Sequence, residues 1–196
     1  HFGNWAAAKE RAHAALELGK GRDVKYAAAY ALALSDDQSP SQALAEELAK
    51  QFPEDTPVQM EYLPILRALF ALSRKAPLEA IENLQTAVPY DLAMPGTAFF
   101  ARFGGLYPVY VRGRAYLEVG RAREAAAEFQ RVLDHRGIVL ADPIGALAHL
   151  QLGRARALSG EVNNAGNAYQ AFLSLWKDAD ADLPILKQAR ADYAKL

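Results

Sequence analysis

The stretch YVRGRAYLEVGRAREAAAEFQRVL, Tyr110–Leu133, decides the fold. Its apolar residues recur with helical period, yet Gly113 stands in the interior of the first helical segment. Glycine there costs about 1 kcal/mol against alanine, so a compensating contact is expected. Gly120 then marks a helix end, where a left-handed residue is cheapest as glycine. Ala125 opens the way for a second segment, and Phe129 follows one helical turn later on the same face. The spacing predicts two antiparallel helices that cross at small residues, with the aromatic ring one turn later filling the gap toward the next hairpin. Close packing at such a crossing recovers in dispersion and burial what the glycine loses.

Three other segments align on the same register. Ala29 with Ser41, Ala68 with Ala80, Gly113 with Ala125 and Gly153 with Ala165 are pairs of small residues twelve apart. Four residues beyond the second member stands Ala45, Leu84, Phe129 or Tyr169. Five before it falls the turn, at Asp36, Lys75, Gly120 or Gly160. Breakers elsewhere, at Gly19–Gly21, Pro53–Pro57, Pro89–Gly105, Gly137–Pro143 and Asp178–Pro184, cut the chain into segments of helix length. Ser39-Pro40 and Asp142-Pro143 read as N-caps with proline at the first helical position, and Asp182 as a third cap. The segmentation is residues 1–19 as a lone second helix, hairpins at 22–53, 57–88, 107–136 and 142–178, an insertion at 89–106, and a closing helix at 182–196 whose polar outer face is expected to carry Lys187, Arg190, Asp192 and Lys195. Within the insertion, Phe99 or Phe100 shares a helical face with Phe103, which suits a core segment better than a lid.

Gly113, Tyr116, Gly120, Ala125 and Phe129, and then Leu152, Gly153, Ala155, Gly160, Ala165 and Tyr169, resemble the helix–turn–helix pattern of tetratricopeptide repeat (TPR) proteins. Arg156, Ala71 and Leu32 depart from it at the first-helix aromatic, and Lys75 and Asp36 at the turn glycine. FGNWAAAKERAHAAL at the amino end repeats the turn-to-alanine spacing from Gly3 to Ala8. LYPVYVRGRAYL, LDHRGIVLADPIGALAHLQLGRA and FLSLWKDADADLPILKQARADYAKL are similar to the carboxyl-terminal TPR region of large bacterial multidomain proteins. Many of those begin with a eukaryotic-like serine/threonine kinase, others with a winged-helix domain. The resemblance implies an all-α, right-handed solenoid of hairpins with a capping helix, and a fragment of a larger signalling protein. His1 in place of a start residue fits that expectation.

Composition narrows the chemistry. The 196 residues carry 22 Lys+Arg against 23 Asp+Glu, so no basic excess points to nucleic acid. Cysteine is absent, which removes disulfides, thiolate zinc sites and cysteine nucleophiles. No apolar run reaches the roughly 18 residues of a membrane span. A cytoplasmic setting is expected, with the parent chain free to carry an anchor. His1, His13, His135 and His149 form no zinc motif, and DHRG at Asp134–Gly137 lacks the residue order of a kinase catalytic loop. His149 reads as a packing histidine, and His135 with Arg136 as a helix C-terminus. GKGRD at Gly19–Asp23 reads as a turn, and the Asp178, Asp180 and Asp182 group as solvated charge.

No catalytic residue, metal ligand or cofactor is therefore assigned, and the expected function is binding. In the solenoid reading the first helices line a concave face. Its candidates are Tyr26, Tyr30, Tyr62, Ile65, Leu69, Tyr107, Tyr110, Arg114, Leu150 and Arg154. Tyrosine offers wide area with a polar tip, and arginine forks onto carboxylates. Tyr110 and Arg114 share one helix face, and Arg154 holds the corresponding place in the next repeat. The expected partner is a peptide or protein segment, with an acidic one suiting the paired guanidinium groups. Architectural self-association of the parent is the alternative, and internal pairing of each arginine, for example Arg114 with Glu118, is the rival reading of the site.

Overall fold

The computed structural model describes residues 1–35, 37–93 and 106–196. Every regular element among them is helical. The Phe99, Phe100 and Phe103 cluster and the Asp36 turn lie outside the described residues. Contacts group the chain into two compact units, Trp5–Val111 and His1–Asn4 with Arg112–Leu196.

The first unit holds α1 (Trp5–Leu18), α2 (Arg22–Leu34), α3 (Gln38–Gln51), α4 (Leu63–Ser73) and α5 (Pro77–Asn83). It also contains the start of α6 (Tyr107–Glu118). Ala12 on α1 packs with Ala28 and Leu32 on α2, and Leu16 and Leu44 close over them. A wide π turn, Val58–Tyr62, leads into α4, with the Leu63 N–H reaching back to the Val58 carbonyl. Pro64 explains the widening. It has no N–H to offer the carbonyl four residues earlier, and a local π turn is a common way to absorb that loss. A 3-10 segment, Gln85–Tyr90, follows the short α5.

The second unit holds the rest of α6, then α7 (Ala122–Asp134), the single turn α8 (Arg136–Val139), α9 (Pro143–Leu158), α10 (Val162–Leu175) and α11 (Pro184–Tyr193). Asp142 caps α9 as expected, its carboxylate accepting from the Ile144 N–H at 3.0 Å with Pro143 behind it. Two other caps fall elsewhere. α3 starts two residues early, with Asp37 at the N-cap and Pro40 inside the first turn, where no donor is missed. α11 is preceded by Leu183 at the N-cap, not Asp182. His135 ends α7, its ring Nδ1 2.7 Å from the Arg131 carbonyl.

The crossings occur where the small residues are. In α2 and α3 the Ser41 hydroxyl donates to the Ala29 carbonyl at 2.6 Å, inside a fully buried contact. A Cβ on Gly113 would stand 2.8 Å from the Phe129 ring and 3.2 Å from Glu128 Cβ. On Gly153 it would stand 3.1 Å from the Tyr169 ring. Ala68, Ala80 and Leu84 are likewise fully buried. At Gly113 and Gly153 the ring one turn beyond the crossing therefore rests on the opposite backbone, and only a residue without a side chain admits it.

The turns also repeat in backbone detail. Gly120 and Gly160 both have φ 78°, and Lys75, in the same register, has φ 61°. The Gly120 N–H donates to Leu117 O at 3.1 Å and the Arg121 N–H to Tyr116 O at 2.8 Å. Gly160 with Glu161, and Lys75 with Ala76, make the same two bonds, and Asp37 donates to Leu32 O at 3.0 Å in the longer of them. This pair of bonds is the Schellman closure, which satisfies carbonyls at a helix end through one left-handed residue. Lysine at position 75 thus holds a glycine's conformation.

Two stability measurements test this account. Gly113→Ala should cost about 1–3 kcal/mol by forcing the Phe129 ring aside, and Gly153→Ala less, because its contact is looser. Equal melting temperatures for Gly113→Ala and wild type would remove the crossing argument. At Lys75 the left-handed backbone costs a side-chain-bearing residue roughly 1–2 kcal/mol. Glycine relieves that but gains freedom in the unfolded chain worth about 0.4–1 kcal/mol. Lys75→Gly should therefore raise stability by up to about 1 kcal/mol in urea titration.

Candidate functional site

The expected tyrosine face is an interior. Tyr26, Tyr30, Tyr62, Tyr107, Tyr110 and Leu150 are all buried, as are Ile65 and Leu69. Tyr26 stacks flat on Tyr62 with ring centroids 3.8 Å apart, and Tyr30 meets Tyr107 edge-on at 5.4 Å. The Tyr62 hydroxyl donates to Asp23 at 2.9 Å, while Arg22 bridges Asp23 and Asp55 at 2.9 and 2.7 Å. Burial raises the Tyr26 and Tyr62 hydroxyls well above the ordinary phenol range. These side chains tie helices together and are not presented to a ligand. Helical spacing correctly put them on shared faces, but a face shared by large half-polar rings is equally a packing surface.

The arginines divide. Arg154 is engaged by Asp192 of α11, with Nε donating to Oδ2 at 2.9 Å. That pairing corrects the expected polar outer face of α11. Lys187, Arg190 and Lys195 are exposed, but Asp192 turns inward. Arg114 is half-buried, and the pairing with Glu118 weighed as its rival is not among its contacts. Arg112, which the spacing did not single out, is buried and donates to Glu128 at 2.8 Å.

An open groove of about 1020 Å³ lies in the second unit, lined by none of the ten sequence candidates. Gly145, Ala146, His149 and Leu152 of α9 form its floor. Leu133 of α7, Val139 of α8, and Ala171 and Leu175 of α10 form its sides, and Phe2 and Trp176 close one part. Small residues explain why the space exists. Ala146 and Ala171 fill little of it, while Gly145 lets Val139 of α8 pack directly on α9, where a Cβ would stand 2.7 Å from its Cγ1. Phe2 is held by an edge-on contact with Trp176 at 4.9 Å, and Gly3, at φ 93°, lies against Pro184.

The groove is cationic over an apolar floor. Arg136 lines it, is exposed, and has no hydrogen-bond or ion-pair partner among the described residues. Arg156 is only loosely held, by Gln130 and the Asn164 carbonyl, both at 3.4 Å. Asp142 is the one acidic group in the lining, and its carboxylate caps α9. Burial, and then the nearby Arg136 charge, lower the His149 imidazole from its usual range, so it favours the neutral form. On sequence spacing alone His149 is a packing residue. Its position opposite the DHRG turn was the available signal, because the turn carries Arg136 back over α9.

An acid with a raised carboxyl pKa lies in the first unit. Glu61, in the π turn, is buried with its Oε2 unpaired, and burial followed by the Asp91 charge raises it to about 7. No group of three metal-ligating side chains occurs among the described residues. No family model matches the chain, and neither does any curated protein or solved structure.

Glu61 has a definite pH signature. The folded chain keeps its proton up to about pH 7, whereas the unfolded carboxyl loses it near 4.5. Stability is therefore full below pH 4.5, falls as pH rises to 7, and stays reduced above. Glu61→Gln should add stability on the order of 1–3 kcal/mol at pH 8 and almost none at pH 4.5. Denaturant titrations at the two pH values check this, and an equal effect at both would assign the gain to something other than ionisation.

Proposed function

We propose that this chain is a non-catalytic interaction module that binds a peptide or protein segment in the groove over α9. The observation that carries the reading is the groove itself: open, apolar-floored, and edged by an arginine with no partner among the described residues. Pockets of this size with few polar groups are the usual places for recognition. The repeated left-handed turns at 75, 120 and 160, in register with the small-residue crossings, support a TPR-like right-handed solenoid of hairpins. On that reading the chain belongs to a larger bacterial signalling protein in the cytoplasm, and any kinase activity belongs to its other parts.

The test is selection of a random peptide library on the intact chain, alongside Ala146→Trp, which fills the groove floor. Wild type should enrich a shared sequence pattern, and a synthetic peptide of that pattern should bind it at least tenfold more tightly than Ala146→Trp, with helicity and melting preserved. Ala171→Trp fills the same space from α10 should the first variant melt early. Peptides that bind both variants as well as wild type would remove the groove from the proposal. No enrichment, with a concentration-dependent dimer in sedimentation, would favour the architectural alternative of self-association.

A further inference from the structure

Leu140 stands where the backbone opposes it. It follows α8 with φ 50° and ψ −121°, and the Asp142 N–H closes on the Val139 carbonyl at 3.0 Å. These angles are those of the first central residue of a type II′ turn, a place dominated by glycine because a Cβ is strained there. The leucine side chain recovers little of that strain by burial, since 55% of the residue is exposed. It lines the groove, as does Leu175, which is 60% exposed. Arg136, one turn earlier, holds the carbonyl that receives the Leu140 N–H at 2.9 Å. A single tight turn thus presents a cation with no partner among the described residues and a strained, solvated leucine to one groove. Strain kept at a position with no packing return is a mark of use.

Resting on the groove reading above, we infer that the occupant is a short acidic segment bearing a large aliphatic or aromatic side chain. Its carboxylates meet Arg136 and the loosely held Arg156, and its apolar side chain lies between Leu140 and Leu175. Charge complementarity selects this chemistry. The only acid in the lining is engaged as a helix cap, so a basic segment would find one already bonded carboxylate against two guanidinium groups. Guanidinium–carboxylate hydrogen bonds are the strong, oriented ones, and the leucines supply area beside them.

The experiment uses the full chain and four fluorescent peptides on one twelve-residue scaffold. They carry Glu with Leu, Gln with Leu, Glu with Ser, and Lys with Leu at the same positions. The Glu–Leu peptide should bind at least tenfold more tightly than each of the other three, with affinity falling as salt rises. Arg136→Glu should abolish the preference for Glu over Gln. Leu140→Gly should lower affinity about fivefold or more while leaving melting unchanged or raising it, a combination that a merely structural leucine would not give. Equal binding of Glu–Leu and Gln–Leu peptides, or full affinity in Arg136→Glu, would overturn the acidic occupant while leaving groove binding intact. Library-selected peptides that bind while all four designed ones fail would overturn it in the same way. A Leu140→Gly chain that binds normally would remove the apolar half of the inference.

Discussion

Everything in this fold depends on how closely two helices can approach. Where Gly113 faces Phe129, the distance leaves no room for a methyl group, and the same relation returns more loosely between Gly153 and Tyr169. In the first pair of long helices a serine hydroxyl bonded to a backbone carbonyl takes the place of the ring contact. The chemistry differs at each crossing, but the constraint is one of volume. Once the crossing is fixed, the turn that joins the helices must close within a few residues, and the left-handed residue with its two bonds follows from that closure.

That constraint was legible in sequence because it removes side chains at fixed intervals. The small-residue pairs, the following ring, the left-handed turn and the cap at Asp142 could all be read in advance. What could not be read was direction. Tyr26, Tyr30 and Tyr62 have the spacing of a shared face, yet spacing cannot distinguish a face that looks at solvent from one that looks at the next helix. Here the flat stack of Tyr26 on Tyr62 settles it as interior. Asp192 was misjudged for a similar reason, since its partner Arg154 lies 38 residues away and no local pattern links them.

The groove illustrates the opposite case, a site built from what is absent. Gly145, Ala146 and Ala171 mark it by being small, and its charged edge comes from a one-turn helix followed by a strained corner. Neither signal stands out in a chain where alanine is everywhere. Arg136 reads in sequence as a helix C-terminus, and it does follow the α7 cap at His135, but it also opens the one-turn α8, which aims it across α9. The same position therefore serves two readings, and only the packing of α8 on α9 separates them.

The π turn at Val58–Tyr62 has a bearing on how this chain tolerates changes in length. Such a turn is an α-helix carrying one supernumerary residue, so the segments on either side are out of phase by about 100°. That phase change is what lets an unbroken run from Glu61 to Leu66 be buried, including a carboxylate that ordinary periodicity would keep outside. Loss of any one residue between 58 and 62 would restore regular winding and rotate the preceding turn relative to α4. A deletion there would act as a twist in the helix, and a shortening only second.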